Sequence, residues 1–168
     1  MPVAEGLALT PRRRVSQAVL IIDSPADCAT LAALRSLSEH LPLKVRLEFP
    51  EEALPPVETV ALLAGVLNTP TYGAGLRLAP DARIDNGLLH VVLLEDSGAL
   101  NVLRLLPRLM ASGELRTSRV RRWRVKAVRM YADRPCLFHG DGEILGPAPA
   151  GIEVVPNAAR VLAPLKEA

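Results

Sequence analysis

Aromatic residues are the scarcest resource in this chain: one Trp, two Tyr and two Phe make up 3% of 168 residues. A core built here must be aliphatic, and the stacking platforms of single-strand nucleic-acid modules are missing. Cysteine is almost absent as well. Cys28 and Cys136 stand far apart with no CxxC spacing, which excludes a disulfide framework and reads as small core residues of a cytoplasmic protein. The three histidines, His40, His90 and His139, are equally scattered and form no zinc pattern. No apolar run approaches the ~18 residues of a membrane span. Met1 to Thr10 has neither early positive charge nor an apolar core, which argues against a secretory leader. A net charge of +2 imposes no overall preference for a partner of either sign.

What the chain has in quantity is aliphatic residues, 49% hydrophobic in all, and fifteen prolines. Length and composition suit one domain with a full core, built from many short elements joined by turns. Residues 1–14 read as a tail ending in Arg12-Arg13-Arg14, and 15–168 as a single domain. Val15 to Ile22 is β-like. Ser24 as cap, Pro25 at the first helical position and Asp27 near the positive end of the dipole predict a helix that Pro42 stops.

Leu43, Val45, Leu47 and Phe49 then alternate with charged residues, a half-buried strand. Val57 to Leu67 is apolar enough to be a strand buried on both faces or a buried helix. Gly75–Ala79 and Leu88–Leu94 are expected strands around a turn at 80–87, and Ala99–Ala111 an expected second helix, kinked at Pro107. In Thr117–Tyr131 the inward face is Trp123, Val125 and Ala127 at first, then Val128 and Met130. That slip of phase predicts a bulge or bend near Ala127. Short strands follow around Cys136–Phe138, Ile152–Val155 and Ala158–Leu162. The expected architecture is mainly β, a β-sandwich carrying two accessory helices.

Phe138-His-Gly-Asp-Gly-Glu143 holds two acids two residues apart. In extended chain Asp141 and Glu143 would share one face and one target; as a turn, Gly-Asp-Gly is ordinary hairpin chemistry. Arg116, Arg119, Arg121, Arg122, Arg124, Lys126 and Arg129 make a basic strand. A solvated sheet face, an anionic membrane surface and nucleic acid are the readings of it, and the shortage of aromatics weighs against the last.

Gly73-Ala-Gly75, Leu78-Ala-Pro80 and Ala82-Arg-Ile-Asp-Asn-Gly-Leu-Leu89, followed by Asp141-Gly-Glu143, Val154-Val-Pro-Asn-Ala158 and Val161-Leu-Ala-Pro164, resemble the C-terminal domain of the bacterial diacylglycerol kinase and sphingosine kinase-like lipid kinases. The resemblance runs from about Leu43 to Pro164. It implies a β-sandwich under a nucleotide-binding domain, with a lipid such as diacylglycerol in an apolar pocket, ATP at the domain cleft and the enzyme at the inner face of the membrane. Glu143 is then the acid that activates the lipid hydroxyl, and Asp141 positions it or the catalytic Mg²⁺. An accessory Mg²⁺ site falls on the carbonyls of Arg83 and Leu88 and the side chain of Asn86, where the family usually has an aspartate; Asp85 beside it is the substitute carboxylate. The family's nucleotide domain, with its Gly-Gly-Asp-Gly-Thr loop, should precede this region, and the residues before Leu43 do not supply it. The chain alone has no visible ATP site. The expectation is a lipid-binding, base-supplying domain that is inactive without a separate nucleotide-binding domain. The alternative is a non-catalytic lipid- or protein-binding module. Homodimers through the sheet edges stay open.

Overall fold

The computed structural model describes residues 17–21, 43–72, 77–98, 101, 117–141 and 143–158. Among these are nine strands: β1 (Gln17–Ile21), β2 (Leu43–Glu48), β3 (Val57–Leu67), β4 (Leu89–Glu95), β5 (Val120–Val125), β6 (Ala127–Ala132), β7 (Leu137–Gly140), β8 (Glu143–Pro147) and β9 (Ala150–Glu153). All their pairings are antiparallel. No helix among the described residues is long and apolar enough to cross a membrane. Both expected helices and the 1–14 tail lie outside the described residues, apart from Asn101, which is helical.

β2 forms because its alternation leaves one greasy face. Leu43, Val45 and Leu47 are buried, while Lys44 and Arg46 stay in solvent and reach Glu58 on β3 at 3.8 and 3.5 Å. β3 settles as a strand of 11 residues. Its first half pairs with β2 and its second half with β1, while β4 lies along the opposite edge of the second half. A register shift against β4 between Ala61 and Leu63 marks where β3 changes neighbours.

The second corner is at Lys126, the residue separating β5 from β6. β5 pairs with β4, whereas β6 pairs with β2 and β9. Val125 and then Val128 and Met130 enter the same core, so one skipped position at Lys126 shifts the inward phase from odd- to even-numbered residues. The expected bend is there. Its freed backbone groups are satisfied locally: the Lys126 amide donates to Glu52 Oε1 at 2.6 Å, and its carbonyl accepts from the Val154 amide at 2.9 Å. The ladder thus closes on itself, β2–β3–β4–β5 and back through β6 to β2.

Inside that circuit lies the main core, with Leu43, Val45, Leu47, Val66, Val91, Leu93, Val125, Val128 and Met130 among its members and Phe138 entering from β7. A second, smaller cluster occupies the other face of β3 and β4, where Leu78, Ala79 and Ala82 cover Leu67, Val92 and Leu94. This explains why every residue of β4 from Leu89 to Leu94 is buried. It also corrects one expectation. Leu78 and Ala79 are not strand residues but a bend pressed onto the sheet, after an isolated bridge at Arg77. Their apolar character serves as a lid for the second cluster.

Candidate functional site

β7 and β8 form a hairpin in which Gly140 pairs with Glu143, and Asp141 stands in its turn. Asp141 has φ +50°, the left-handed region that Asp tolerates and that a tight Asp-Gly hairpin turn demands. The premise that the two acids lie on one face of an extended strand is therefore replaced: Asp141 is in the turn and Glu143 is the first residue of β8. The turn nonetheless holds both side chains in solvent at the end of the sheet, anchored from behind by the buried ring of Phe138. Among the described residues β8 lies at the edge of the sheet, and next to Glu143 it leaves Ile144 55% exposed; Leu137 on β7, 36% exposed, pairs with Pro147 at the far end of the hairpin. Carboxylates followed by an exposed aliphatic side chain suit a partner or substrate with both polar and greasy parts.

The second candidate set lies in the turn before β4. The Arg83 guanidinium donates to both oxygens of Asp85, from Nε at 3.0 Å and Nη2 at 2.9 Å. That hydrogen-bonded pair holds the Asp85 carboxyl below its usual range and pushes Arg83 up. Asn86 Oδ1 accepts the Leu88 amide at 3.0 Å, an Asx turn, and Gly87 follows at φ +66°. Oxygens toward an ion here would be the Arg83 and Leu88 carbonyls and the Asn86 amide, all neutral, with the one carboxylate already clamped by a guanidinium. Mg²⁺ sheds its water reluctantly and favours charged carboxylates, so this donor set does not fit it. Among the described residues no group of three or more His, Cys, Asp or Glu is arranged to hold a metal.

Strand register locates the two sets relative to each other. Gly140, Ala18, Val66, Val91 and Trp123 form one row across the sheet. The hairpin tip follows Gly140 and the 80–88 turn precedes Leu89, so both emerge at the same end. Three strand spacings separate β7 from β4, roughly 14 Å. They share an end of the sheet but not a ligand.

One residue escaped sequence reasoning. His90 is 4% exposed, on the face of β4 that carries Val92 and Leu94, and its Nε2 has no hydrogen-bond partner among the described residues. Burial, helped by the Arg124 charge across the strand pair, pushes the imidazole below its ordinary value, with Asp81 pulling the other way. The available signal was its even position in an otherwise apolar strand. Cys136 packs half-buried against the main core, where burial pushes its thiol up, in keeping with an inert core residue. Cys28 lies outside the described residues.

The basic strand is largely employed inside the fold. Arg121 lies 4.9 Å over the Trp123 ring and meets Glu95 at 3.5 Å, Arg122 donates to the Leu78 carbonyl at 2.8 Å, and Arg119 reaches the Asp96 carbonyl. Arg124 and Arg129 are exposed, as a solvated face requires.

Residues 5–163 match the sequence profile of the YegS C-terminal NAD kinase beta sandwich-like domain. The chain is 31% identical over 135 residues to a diacylglycerol kinase of Mycobacterium tuberculosis, covering 80% of this chain and 42% of that protein. It thus spans about two fifths of the length of that relative. A solved chain from Bacillus anthracis aligns with a TM-score of 0.64 at 15% identity, over 84% of this chain and 49% of the other. The crystal structure of a diacylglycerol kinase from the same organism aligns with a TM-score of 0.58 at 14% identity, over 84% and 46%. At such identities these structures speak for the fold alone, a β-sandwich.

Proposed function

The chain belongs to the YegS C-terminal NAD kinase beta sandwich-like domains of diacylglycerol kinase-like lipid kinases, and from that membership we propose that it is the lipid-facing, base-supplying half of such a kinase. The observation that carries this reading is the β7–β8 hairpin, which presents Asp141 and Glu143 in solvent at its tip, with the exposed Ile144 next to Glu143 on β8. In the proposed reaction Glu143 takes the proton of a lipid hydroxyl such as that of diacylglycerol. The hydroxyl oxygen bonds to the γ-phosphorus of ATP as the bond to the β-phosphate breaks, and ADP leaves. Mg²⁺ on the phosphates offsets their charge during transfer. An exposed single carboxylate beside substrate phosphates is its common protein ligand, a role that Asp141 can fill from the tip. ATP is held by a nucleotide-binding domain outside these residues, and the assembly works at the inner membrane face. The exposed Ile144 beside Glu143 also suits a non-catalytic lipid- or protein-binding module, and the same experiment separates the two readings.

The isolated chain should not phosphorylate diacylglycerol, whereas mixing it with a separately produced nucleotide-binding domain should give ATP-dependent turnover. Glu143→Ala in that mixture should lower the rate by about 10²–10⁴-fold, the usual worth of a positioned base. Turnover by the chain alone would overturn the half-site reading, and a near-normal rate for Glu143→Ala would remove Glu143 from the chemistry. Vesicle binding that survives the substitution, with no turnover in any mixture, would favour the binding module.

A further inference from the structure

The turn before β4 raises a question that the kinase reading leaves open: what stabilises its shape. We propose that the Arg83–Leu88 turn is a cation-free turn, held by the Arg83 guanidinium clamped on Asp85 and by the Asn86 Asx turn, and that this chain binds no divalent ion there. The inference rests on the turn's own atoms and is independent of any role for Glu143.

Three features of the turn exclude the ion together. The first is charge: Asn86 contributes a neutral amide oxygen, and that oxygen already accepts the Leu88 amide at 3.0 Å. The second is competition. Asp85 is the one carboxylate within the turn, and both its oxygens take N–H donors from the same guanidinium, at 3.0 and 2.9 Å. A bidentate guanidinium–carboxylate pair takes one lone pair of each oxygen and sets a fixed positive charge beside any cation that would use the others. The third is repulsion, because Arg83 carries its charge at all working pH values and sits within the turn itself. What remains is a pair of backbone carbonyls, and those do not strip water from Mg²⁺.

The same features show how the turn keeps its shape without an ion. The Arg83–Asp85 clamp spans its middle, the Asn86-to-Leu88 hydrogen bond sets its exit into β4, and Gly87 takes the left-handed conformation between them at φ +66°. An added Cβ at Gly87 would meet nothing within 4 Å, so backbone conformation rather than crowding fixes glycine there. The Arg83 guanidinium thus supplies, from within the turn, the positive charge that Asp85 is paired with.

Titration of the chain with MgCl₂, followed by calorimetry and by the melting temperature, tests this directly. Paramagnetic Mn²⁺ adds a reading at single amides, those of Gly87 and Leu88 in particular. The wild type should give no saturable heat, no shift of Tm between Mg²⁺ and EDTA, and no selective broadening at those amides. Arg83→Ala combined with Asn86→Asp frees one carboxylate and supplies another. Both side chains lie in solvent, so the variant should fold, and it should gain one-to-one millimolar binding with broadening at Gly87 and Leu88. One-to-one Mg²⁺ binding by the wild type that perturbs those amides and disappears in Asn86→Ala would overturn the inference. A folded double variant that gains no binding would overturn it too, by showing that these side chains are not what keeps the ion out.

Discussion

At the scale of single residues, His90 is where this fold is most exposed to pH. Its ring is buried against the second cluster, with Arg124 on β5 and Asp81 in the 77–82 segment as the charged groups facing it. A folded-state value pushed below the ordinary one means that the unfolded chain binds the proton more readily. The contribution of His90 is therefore constant above the unfolded value of about 6.5, is lost as pH falls through it, and levels off once the folded form also protonates. Urea unfolding of the wild type should show stability declining below about pH 6.5, and His90→Leu should remove that part of the decline. Leu suits the apolar neighbours and leaves no orphaned nitrogen, so the variant should match or exceed the wild type in acid. Parallel pH profiles for the two proteins would show that His90 binds its proton equally in the folded and unfolded chains, and would overturn this reading.

At the scale of elements, the β7–β8 hairpin separates conformation from chemistry at one position. Asp141 at φ +50° serves the turn through its backbone and any catalysis through its carboxylate. Asp141→Gly should keep the turn within about 0.5 kcal/mol, because glycine enters the left-handed region freely. Asp141→Val should cost about 1–2 kcal/mol, since a β-branched residue resists that region. Thermal unfolding reads the stability difference. In a reconstituted kinase both variants should lose rate alike, and full activity in Asp141→Gly would assign Asp141 to the turn alone.

How legible each element was follows from how many faces it buries. β2 was plain because one face is buried and the other charged. Val57–Leu67 was ambiguous because its second half packs on both sides, which erases the period of two. The corner at Lys126 was readable because Val128 and Met130 must return to the core that Val125 had entered. Leu78 and Ala79 were misread as strand residues because their apolar side chains bury against the sheet's outer face rather than within it, while Gly75 and Leu76 lie outside the described residues. Of the candidate site, the turn was readable from Gly-Asp-Gly, but the buried His90 and the Arg83–Asp85 clamp depend on contacts that no periodicity records.

At the scale of the whole molecule, the closed ladder and the covered outer face predict two levels of stability. Leu47 is 0% exposed inside the circuit, on a strand paired to β3 on one side and β6 on the other. Leu47→Ala leaves a cavity that the closed circuit cannot collapse around, and about 3 kcal/mol of global stability should be lost. Leu78 is 1% exposed as well, but it belongs to an irregular segment outside the strand ladder, where the Ala79 amide donates to the Pro70 carbonyl at 3.2 Å and the Ala82 amide to the Ala79 carbonyl at 2.8 Å. Truncating it can be relieved by lifting the segment while the sheet stays whole. Leu78→Ala should accordingly speed hydrogen exchange at the Ala79 and Ala82 amides far more than at β4, with a smaller drop in global stability than Leu47→Ala. The Arg122 donor to the Leu78 carbonyl, at 2.8 Å, is then the tether that limits the opening. Equal losses of protection over β4 and the 77–82 segment in Leu78→Ala would mean that the lid and the barrel-like circuit unfold as one unit.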